Sequence, residues 1–264
     1  MIRKTALLYV ILINFTFFTY AATLTPNYGK AENGYNFWLY TPDDTIGKKP
    51  LVIFLHGKSL CGSDLNKVKR YGTIDAIEKG RVLDAYVLAP QNPGGSWNPD
   101  KIMKTVEWVE DNYDIDTDRV YVLGMSLGGS GTLSFVNKYP DKVAAAIAMC
   151  GGHNSKDVSA LNLLPLWIVH GTADHLVSVS KSDQLVEKMR EADPELPRLI
   201  YDRIPGMDHS KPARVFYMPE TYEWLFEHSL SDPDREAIEP FELTDDAWKN
   251  AYTGLNFGKR KSSK

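Results

Sequence analysis

Short apolar runs alternate with longer amphipathic segments from Asn36 to His228. The short runs are almost continuously apolar, as expected of strands that are buried on both faces of a sheet. In the longer segments apolar residues recur every third or fourth position, which is typical of helices that cover a sheet. Strands that alternate with helices predict an α/β fold, with a mostly parallel central sheet and helices on both faces.

The individual elements follow from where these patterns begin and end. Strands are expected at Asn36 to Tyr40, Leu51 to Leu55, Ala85 to Ala89, Val120 to Leu123, Val143 to Met149, Leu166 to Val169 and Leu199 to Ile204. Helices are expected at Asp100 to Asn112, Leu127 to Tyr139, Ser180 to Glu191 and Arg214 to His228, with shorter ones between Gly62 and Arg81. Pro219 is expected to begin or interrupt the last of these. A further short helix is predicted at Asp245 to Tyr252, where it would dock Trp248.

The first residues have the pattern of a signal peptide. Arg3 and Lys4 precede an apolar run from Ala6 to Phe18, and small residues at the spacing of a cleavage site follow it. The run is shorter than the roughly 20 residues that span a bilayer. We therefore expect a signal peptide at 1–21, an α/β domain at 22–230 and a partly disordered C-terminal extension at 231–264. The mature protein would be secreted or periplasmic, without stable membrane insertion.

Composition narrows the classes of partner. The chain has 264 residues, a net charge of −4 and 43% hydrophobic residues, which are values typical of one soluble α/β domain. Nothing in this charge suggests a nucleic acid partner. Cys61 and Cys150 either pair in an oxidising compartment or remain separate thiols. The sequence leaves that choice and the oligomeric state open.

The segment Gly124-Met125-Ser126-Leu127-Gly128 joins an apolar strand to a helix. A serine in this context sits at a sharp turn, where its hydroxyl is raised above the sheet as a nucleophile. The flanking glycines remove side chains that would clash across the turn. The alternative is a glycine-rich turn with an incidental serine. We favour a catalytic Ser126, because candidate partners occur at the ends of later strands.

Those partners are Asp174 and His209. Ligands of an open α/β sheet bind at the carboxyl ends of its strands, and both residues follow predicted strands. A histidine accepts the serine proton, and a carboxylate orients that histidine and stabilises its charged form. His175 and Asp208 are rivals for these roles, but each adjoins the favoured residue, and neighbours on a turn diverge. His56 and His170 are expected to be structural.

The oxyanion that forms during such catalysis needs two backbone N–H donors. Leu127 is expected to supply one, because it begins the helix after Ser126. Lys58, in the loop after the strand at Leu51 to Leu55, is expected to supply the other. No histidine and carboxylate set has the spacing of a metal site, so neither a metal nor a cofactor is expected.

Taken together, four segments resemble the α/β-hydrolase superfamily in order, from the oxyanion segment to the base. They are Leu55-His56-Gly57, Gly124 to Gly129, His170-Gly171-Thr172-Ala173-Asp174 and Gly206 to Ser210. Within the superfamily the chain looks most like small lidless esterases. These are the dienelactone hydrolase, phospholipase/carboxylesterase and feruloyl esterase or polyhydroxybutyrate depolymerase groups, near peptidases of prolyl-oligopeptidase type. The resemblance implies a Ser126–His209–Asp174 triad and a serine hydrolase.

The loop from Gly151 to Leu164 is too short to hold a cap domain. An open cleft suits bulky or polymeric esters, so the expected function is a secreted carboxylesterase acting on small-molecule esters or on acyl or feruloyl esters of polysaccharide. Trp97 would either form a stacking platform for sugar or aryl groups over this cleft or pack on the domain surface. A serine peptidase is the alternative on the same scaffold, and a non-catalytic binding module is a third possibility.

Overall fold

A mixed eight-stranded sheet forms the centre of the computed structural model, which describes residues 21–238 and 241–258. Its order is β1-β2-β4-β3-β5-β6-β7-β8, with β1, β2 and β4 joined in antiparallel fashion and all other pairs parallel. The strands are β1 Thr23–Asn27, β2 Phe37–Thr41, β3 Lys49–Leu55, β4 Tyr86–Pro90, β5 Ile115–Met125, β6 Ala145–Met149, β7 Leu166–Gly171 and β8 Leu199–Ile204.

Six α-helices are present in the described residues. They are α1 Thr73–Glu78, α2 Pro99–Asn112, α3 Leu127–Lys138, α4 Ser180–Ala192, α5 Pro219–Phe226 and α6 Asp245–Asn250. Shorter 3-10 segments lie at Lys58–Leu60, Leu65–Arg70, Pro140–Lys142, Ser159–Leu163 and Lys211–Tyr217.

Side chains that alternate along each central strand build two separate cores. In β3, Ile53 packs with residues of α2, α3 and α4 on one face. Phe54, the next residue, packs with residues of α1, α5 and α6 on the other. Because both faces are covered, the central strands are apolar throughout, and the predicted α/β class is confirmed.

Two elements differ from the sequence prediction at the edges of the apolar pattern. β1 was not predicted, because it is a short edge strand that is mostly exposed and contains Pro26. β5 begins at Ile115, five residues before the strand predicted at Val120 to Leu123, and includes the polar segment Asp116-Thr117-Asp118-Arg119. The register with β3 shifts between Lys49 and Leu51, and these polar residues extend the strand beyond the buried core.

The predicted helix from Arg214 to His228 is divided in two. A 3-10 segment ends at Tyr217, and α5 starts at Pro219. Proline has no N–H to donate and disfavours helical geometry in the residue before it. Met218 accordingly adopts φ −75° and ψ 128°, which is extended backbone.

The chain after α5 returns to the face that carries α1 and α5. α6 lies within the predicted helix, and its Trp248 is buried as expected. Arg214 donates a hydrogen bond to the Trp248 carbonyl at 2.7 Å, and the Asn256 N–H donates to Lys79 at 2.8 Å. The predicted signal peptide at 1–21 falls almost entirely outside the described residues, as do residues 239–240 and 259–264 of the predicted C-terminal extension. The boundary at residue 230 stays a prediction.

The connection between β6 and β7 leaves the carboxyl edge of the sheet uncovered. It spans residues 150–165 and contains one 3-10 segment, Ser159–Leu163. The expectation that no cap domain fits here is confirmed for the described residues. Within 21–238 and 241–258, no helix has the length and apolar character needed to cross a membrane.

The close contact of α3 with β3 leads to the first prediction. A Cβ atom on Gly128 would lie 1.8 Å from the Leu55 carbonyl oxygen, and backbone cannot yield to it without displacing the strand. We expect Gly128→Ala to lower the free energy of unfolding by at least about 3 kcal/mol, or to prevent folding. Urea denaturation measures this change.

The matched control is Gly152→Ala. Its Cβ would meet the flexible Lys181 side chain at 3.0 Å, so we expect a change below about 1 kcal/mol. Equal stability of the Gly128→Ala protein and wild type would contradict the packing described here.

Candidate active site

Three chemically active side chains follow three parallel strands. Ser126 comes directly after β5, Asp174 lies in the loop after β7, and His209 lies in the loop after β8. The carboxyl ends of parallel strands meet at one edge of the sheet. The topology therefore brings the loops that carry these residues to one side of the molecule.

Ser126 occupies a strained turn between β5 and α3. Its backbone has φ 60° and ψ −120°, a region that residues with a side chain rarely adopt. Two hydrogen bonds hold it there: the Ser126 N–H donates to Met149 at 2.8 Å, and the Ser130 N–H donates to the Ser126 carbonyl at 2.9 Å. The turn predicted from the sequence is therefore present in the structure.

Asp174 and His209 form a direct pair. His209 Nδ1 lies 2.6 Å from Asp174 Oδ2. The loops that carry them are also joined, because the Ala173 N–H donates to Met207 at 3.0 Å and the Gly206 N–H donates to the Thr172 hydroxyl at 2.8 Å. An ionised carboxylate only accepts hydrogen bonds, so Nδ1 carries the proton and Nε2 of a neutral His209 is left to accept another.

The surroundings of Asp174 keep its carboxylate charged. Burial raises the pKa of Asp174, but hydrogen bonds to the charged form outweigh burial, so the pKa lies below its ordinary value. Asp174 Oδ1 accepts the N–H of Val177 at 2.8 Å and that of Leu176 at 2.9 Å, and Oδ2 accepts His209. The carboxylate is thus both fully buried and fully paired.

The rival acid and base lie elsewhere. His175 is exposed, and the residue before it is already paired with His209. The Asp208 carboxylate points to its own loop, where it accepts Ser210 N–H at 2.8 Å and Lys211 N–H at 3.1 Å. Divergence of neighbouring side chains on these turns therefore separates the two pairs, as expected from the sequence.

The two expected oxyanion donors each begin a helical segment. Leu127 is the first residue of α3, and Lys58 is the first residue of a 3-10 segment. The first N–H groups of a helix have no partner within it, so both are free of helical bonds. Gly57, the residue before Lys58, is confined: a Cβ atom there would lie 2.7 Å from the Tyr71 hydroxyl and 3.3 Å from the Met125 carbonyl oxygen.

His56 supports the oxyanion loop, the segment after β3 that contains Gly57 and Lys58. Its Nδ1 lies 2.8 Å from the Gly57 carbonyl oxygen, and the Asn92 N–H donates to its Nε2 at 3.0 Å. Burial lowers the pKa of His56 to about 4, so the ring is neutral near pH 7 with its proton on Nδ1. The expectation that His56 is structural agrees with these bonds.

The prediction that Trp97 forms a stacking platform over the cleft is wrong. The indole is 4% exposed, its Nε1 donates to the His56 carbonyl at 3.1 Å, and its ring packs edge-on against His56 at 5.0 Å between centroids. A Cβ atom on Gly131 would lie 2.6 Å from this ring. The indole fits against α3 because Gly131 has no side chain there. Through its hydrogen bond to His56, Trp97 supports the loop that follows β3.

A cavity of about 570 Å³ opens between the loops, and both Ser126 and His209 line it. Lys58 and Ser59 form its polar side, and Lys58 is exposed there. Its apolar wall consists of Tyr71, Met125, Leu176, Val177 and Ala213.

The sequence analysis gave no role to Leu176 or Tyr71, which line this cavity. Leu176 is 79% exposed although it is large and apolar, and its place two residues after Asp174 was the available signal. Tyr71 accepts the Gly57 N–H at 2.7 Å, but it lies in a segment with no motif. Only the folded chain brings Tyr71 to the oxyanion loop.

Both cysteines are free thiols, so the alternative of separate thiols is the one observed. Cys150 is buried with φ 47°, and its sulfur lies within 4.8 Å of ligand atoms of Asp174 and His209. This is the one group of potential metal ligands found in the described residues. Asp174 and His209 are hydrogen-bonded too closely to share a tetrahedral ion, and burial raises the pKa of the Cys150 thiol. The group fits a proton-bridged pair better than a metal site.

Comparison with known proteins adds family relationships to this geometry. Residues 96–210 match the dienelactone hydrolase family, a range that includes Ser126, Asp174 and His209. Over 163 residues the chain is 28% identical to a bifunctional acetylxylan esterase/xylanase of Neocallimastix patriciarum, covering 60% of this chain and 24% of that protein. Over 149 residues it is 28% identical to feruloyl esterase B of Talaromyces funiculosus, covering 50% of this chain and 41% of that protein.

Solved structures share the fold of most of the chain. A thermostable esterase superposes with a TM-score of 0.64 at 27% identity, covering 79% of this chain and 63% of that one. The chain therefore spans less than two thirds of the length of each of these three proteins. With its sheet order and its open carboxyl edge, the chain has the α/β-hydrolase fold without a cap domain among the described residues, and its residues 96–210 match the dienelactone hydrolase family.

Proposed function

We propose that this protein is a serine carboxylesterase. In it Ser126 is the nucleophile, His209 the general base and acid, and Asp174 the residue that orients His209. One observation carries the proposal: a histidine held by a buried carboxylate at 2.6 Å lines the same cavity as a serine on a strained strand-to-helix turn. This combination supports acyl transfer through a covalent intermediate.

The reaction begins when the Ser126 hydroxyl attacks the acyl carbon and its proton passes to His209 Nε2. The tetrahedral intermediate collapses, and His209 returns that proton to the departing alcohol, leaving the acyl group on Ser126. Water then attacks the acyl carbon, with His209 again taking the proton, and the acid is released as Ser126 regains its hydrogen. Asp174 stays ionised throughout and stabilises the charged imidazole.

Lys58 and Leu127 stabilise the oxyanion in both halves of this reaction. Both backbone N–H groups begin helical segments beside Ser126, and the helix dipole of α3 favours negative charge at its start. Because the donors belong to the backbone, they need no reorganisation when the charge develops. The packing of His56, Trp97 and Tyr71 around Gly57 keeps the Lys58 segment in place.

The open cavity supports an ester of a bulky or polymeric alcohol as substrate. The described residues provide no cap, so a polysaccharide chain can lie across the carboxyl edge while its acyl group enters the cavity. The apolar wall around Leu176 and Tyr71 suits an acetyl or feruloyl group. The names of the related proteins, acetylxylan esterase and feruloyl esterase, are consistent with this substrate class.

A Ser126→Ala substitution tests the nucleophile. Removal of the attacking oxygen is expected to lower kcat by about 10⁴-fold or more on acetyl-xylan, feruloyl esters and nitrophenyl esters, with an unchanged thermal unfolding transition. The matched control is Ser134→Ala, a serine of the same helix outside the cavity, which should keep wild-type turnover and fluorophosphonate labelling.

The substrate preference of the wild-type protein decides between a carboxylesterase and a serine peptidase. Turnover of esters with little turnover of peptide amides supports the carboxylesterase. Faster cleavage of proline-containing peptide amides than of esters identifies a peptidase. In the mutational test, a Ser126→Ala protein whose kcat is within tenfold of wild type would rule out the triad.

Secretion is a further proposal, supported by the charged, apolar and small-residue pattern of residues 1–21. We expect the protein expressed from its full sequence to be exported to the periplasm or the medium and to begin after Ala21 or Ala22. Mass spectrometry of the intact exported protein measures the cleavage site. Retention of Met1 on an active protein in the cytoplasm would contradict the proposal.

A further inference from the structure

His170 lies against the acid of the proposed triad and has no part in the reaction described above. It is the fifth residue of β7 and is completely buried. Its Nε2 lies 2.9 Å from the Val177 carbonyl oxygen and 3.3 Å from Asp174 Oδ2. Its Nδ1 lies 2.8 Å from the Ser182 hydroxyl at the start of α4.

The neighbours of His170 determine where its ring carries a proton. Both atoms near Nε2, a carbonyl oxygen and a carboxylate oxygen, only accept hydrogen bonds. Nε2 must therefore carry a hydrogen, which it donates to the Val177 carbonyl, and Asp174 Oδ2 lies 3.3 Å from the same nitrogen. In the neutral ring Nδ1 then accepts from the Ser182 hydroxyl, and in the charged ring Nδ1 donates to it. In both protonation states of the ring, the Nε2–H group lies near Asp174.

These bonds complete the shell around the carboxylate. Asp174 Oδ1 is fixed by the N–H groups of Leu176 and Val177, and Oδ2 accepts His209 on one side and approaches His170 on the other. Both carboxylate oxygens thus accept hydrogen bonds, and the N–H of His170 lies close to Oδ2. The chain from His170 to Val177 is also closed into a ring by the bond between His170 and the Val177 carbonyl.

We propose that His170 is a positioning residue, whose Nε2–H orients Asp174 Oδ2 toward His209 and anchors the loop that carries the acid. The inference rests on the proposed function, because it assigns His170 a role in that same triad. His170 does not line the cavity, so it acts on the chemical step through Asp174 and His209 rather than on substrate binding.

The test compares two substitutions of similar size. His170→Leu fills the buried space without a donor, whereas His170→Gln keeps an N–H in reach of the Nε2 position. With nitrophenyl acetate, a substrate too small to depend on the cavity rim, we expect the leucine protein to lose about 10- to 100-fold in kcat with KM within about threefold of wild type. The glutamine protein should recover at least about tenfold of that loss.

The matched control is His228→Leu. His228 is another buried histidine, but it packs against Trp224 and lies outside the cavity. Its replacement should lower the unfolding temperature and leave kcat unchanged. A folded His170→Leu protein with kcat within twofold of wild type would overturn the proposal, as would an equal loss of kcat in the leucine and glutamine proteins.

A measurement on the unaltered protein covers the case in which the variants do not fold. Nitrogen-15 NMR of the imidazole groups should show His170 with a proton on Nε2, and a ring protonated on Nδ1 alone would overturn the proposal. This readout does not depend on activity. A wild-type protein that neither hydrolyses esters nor accepts a fluorophosphonate on Ser126 would refute the proposed function, while the NMR result would still decide whether the His170 bonds exist.

Discussion

The contact between Gly128 of α3 and the Leu55 carbonyl at the end of β3 is the constraint on which the site depends. It allows the helix to begin so close to the sheet that Ser126 stands in a strained turn and Leu127 follows it as the first residue of α3. The same contact places the end of β3, and with it Gly57 and Lys58, beside the turn. One close backbone approach therefore positions the proposed nucleophile and both proposed oxyanion donors.

The site also combines deep burial with full hydrogen bonding. A buried charge is costly unless its partners replace the lost water, and Asp174 has two backbone donors and His209 as partners. Two buried histidines support the neighbouring loops: His56 hydrogen-bonds to the oxyanion loop, and His170 hydrogen-bonds to the loop that carries Asp174. These histidines and Asp174 are buried, while Lys58 and Leu176 are exposed at the cavity.

Much of the fold and part of the site could be predicted from the sequence. Continuous apolar runs predicted the central strands because both faces of the sheet are covered, and the Ser126 turn was evident because its glycines are required locally. Edge strand β1 lacks that pattern. The orientation of Trp97 and the role of Tyr71 depend on side chains far apart in sequence, so no local signal indicated them. His170 was expected to be structural, but its position beside Asp174 depends on the folded conformation of the loop from residue 171 to 177.

The central claim is that Ser126, His209 and the two N–H groups act on one acyl centre. A crystal structure of the protein after reaction with a small fluorophosphonate tests it most directly. The account predicts phosphorus bonded to Ser126 Oγ and a phosphonyl oxygen about 3 Å from the backbone nitrogens of both Lys58 and Leu127. His209 should lie within hydrogen-bonding reach of Ser126 Oγ. An adduct on another residue, or a phosphonyl oxygen directed away from both nitrogens, would contradict the account.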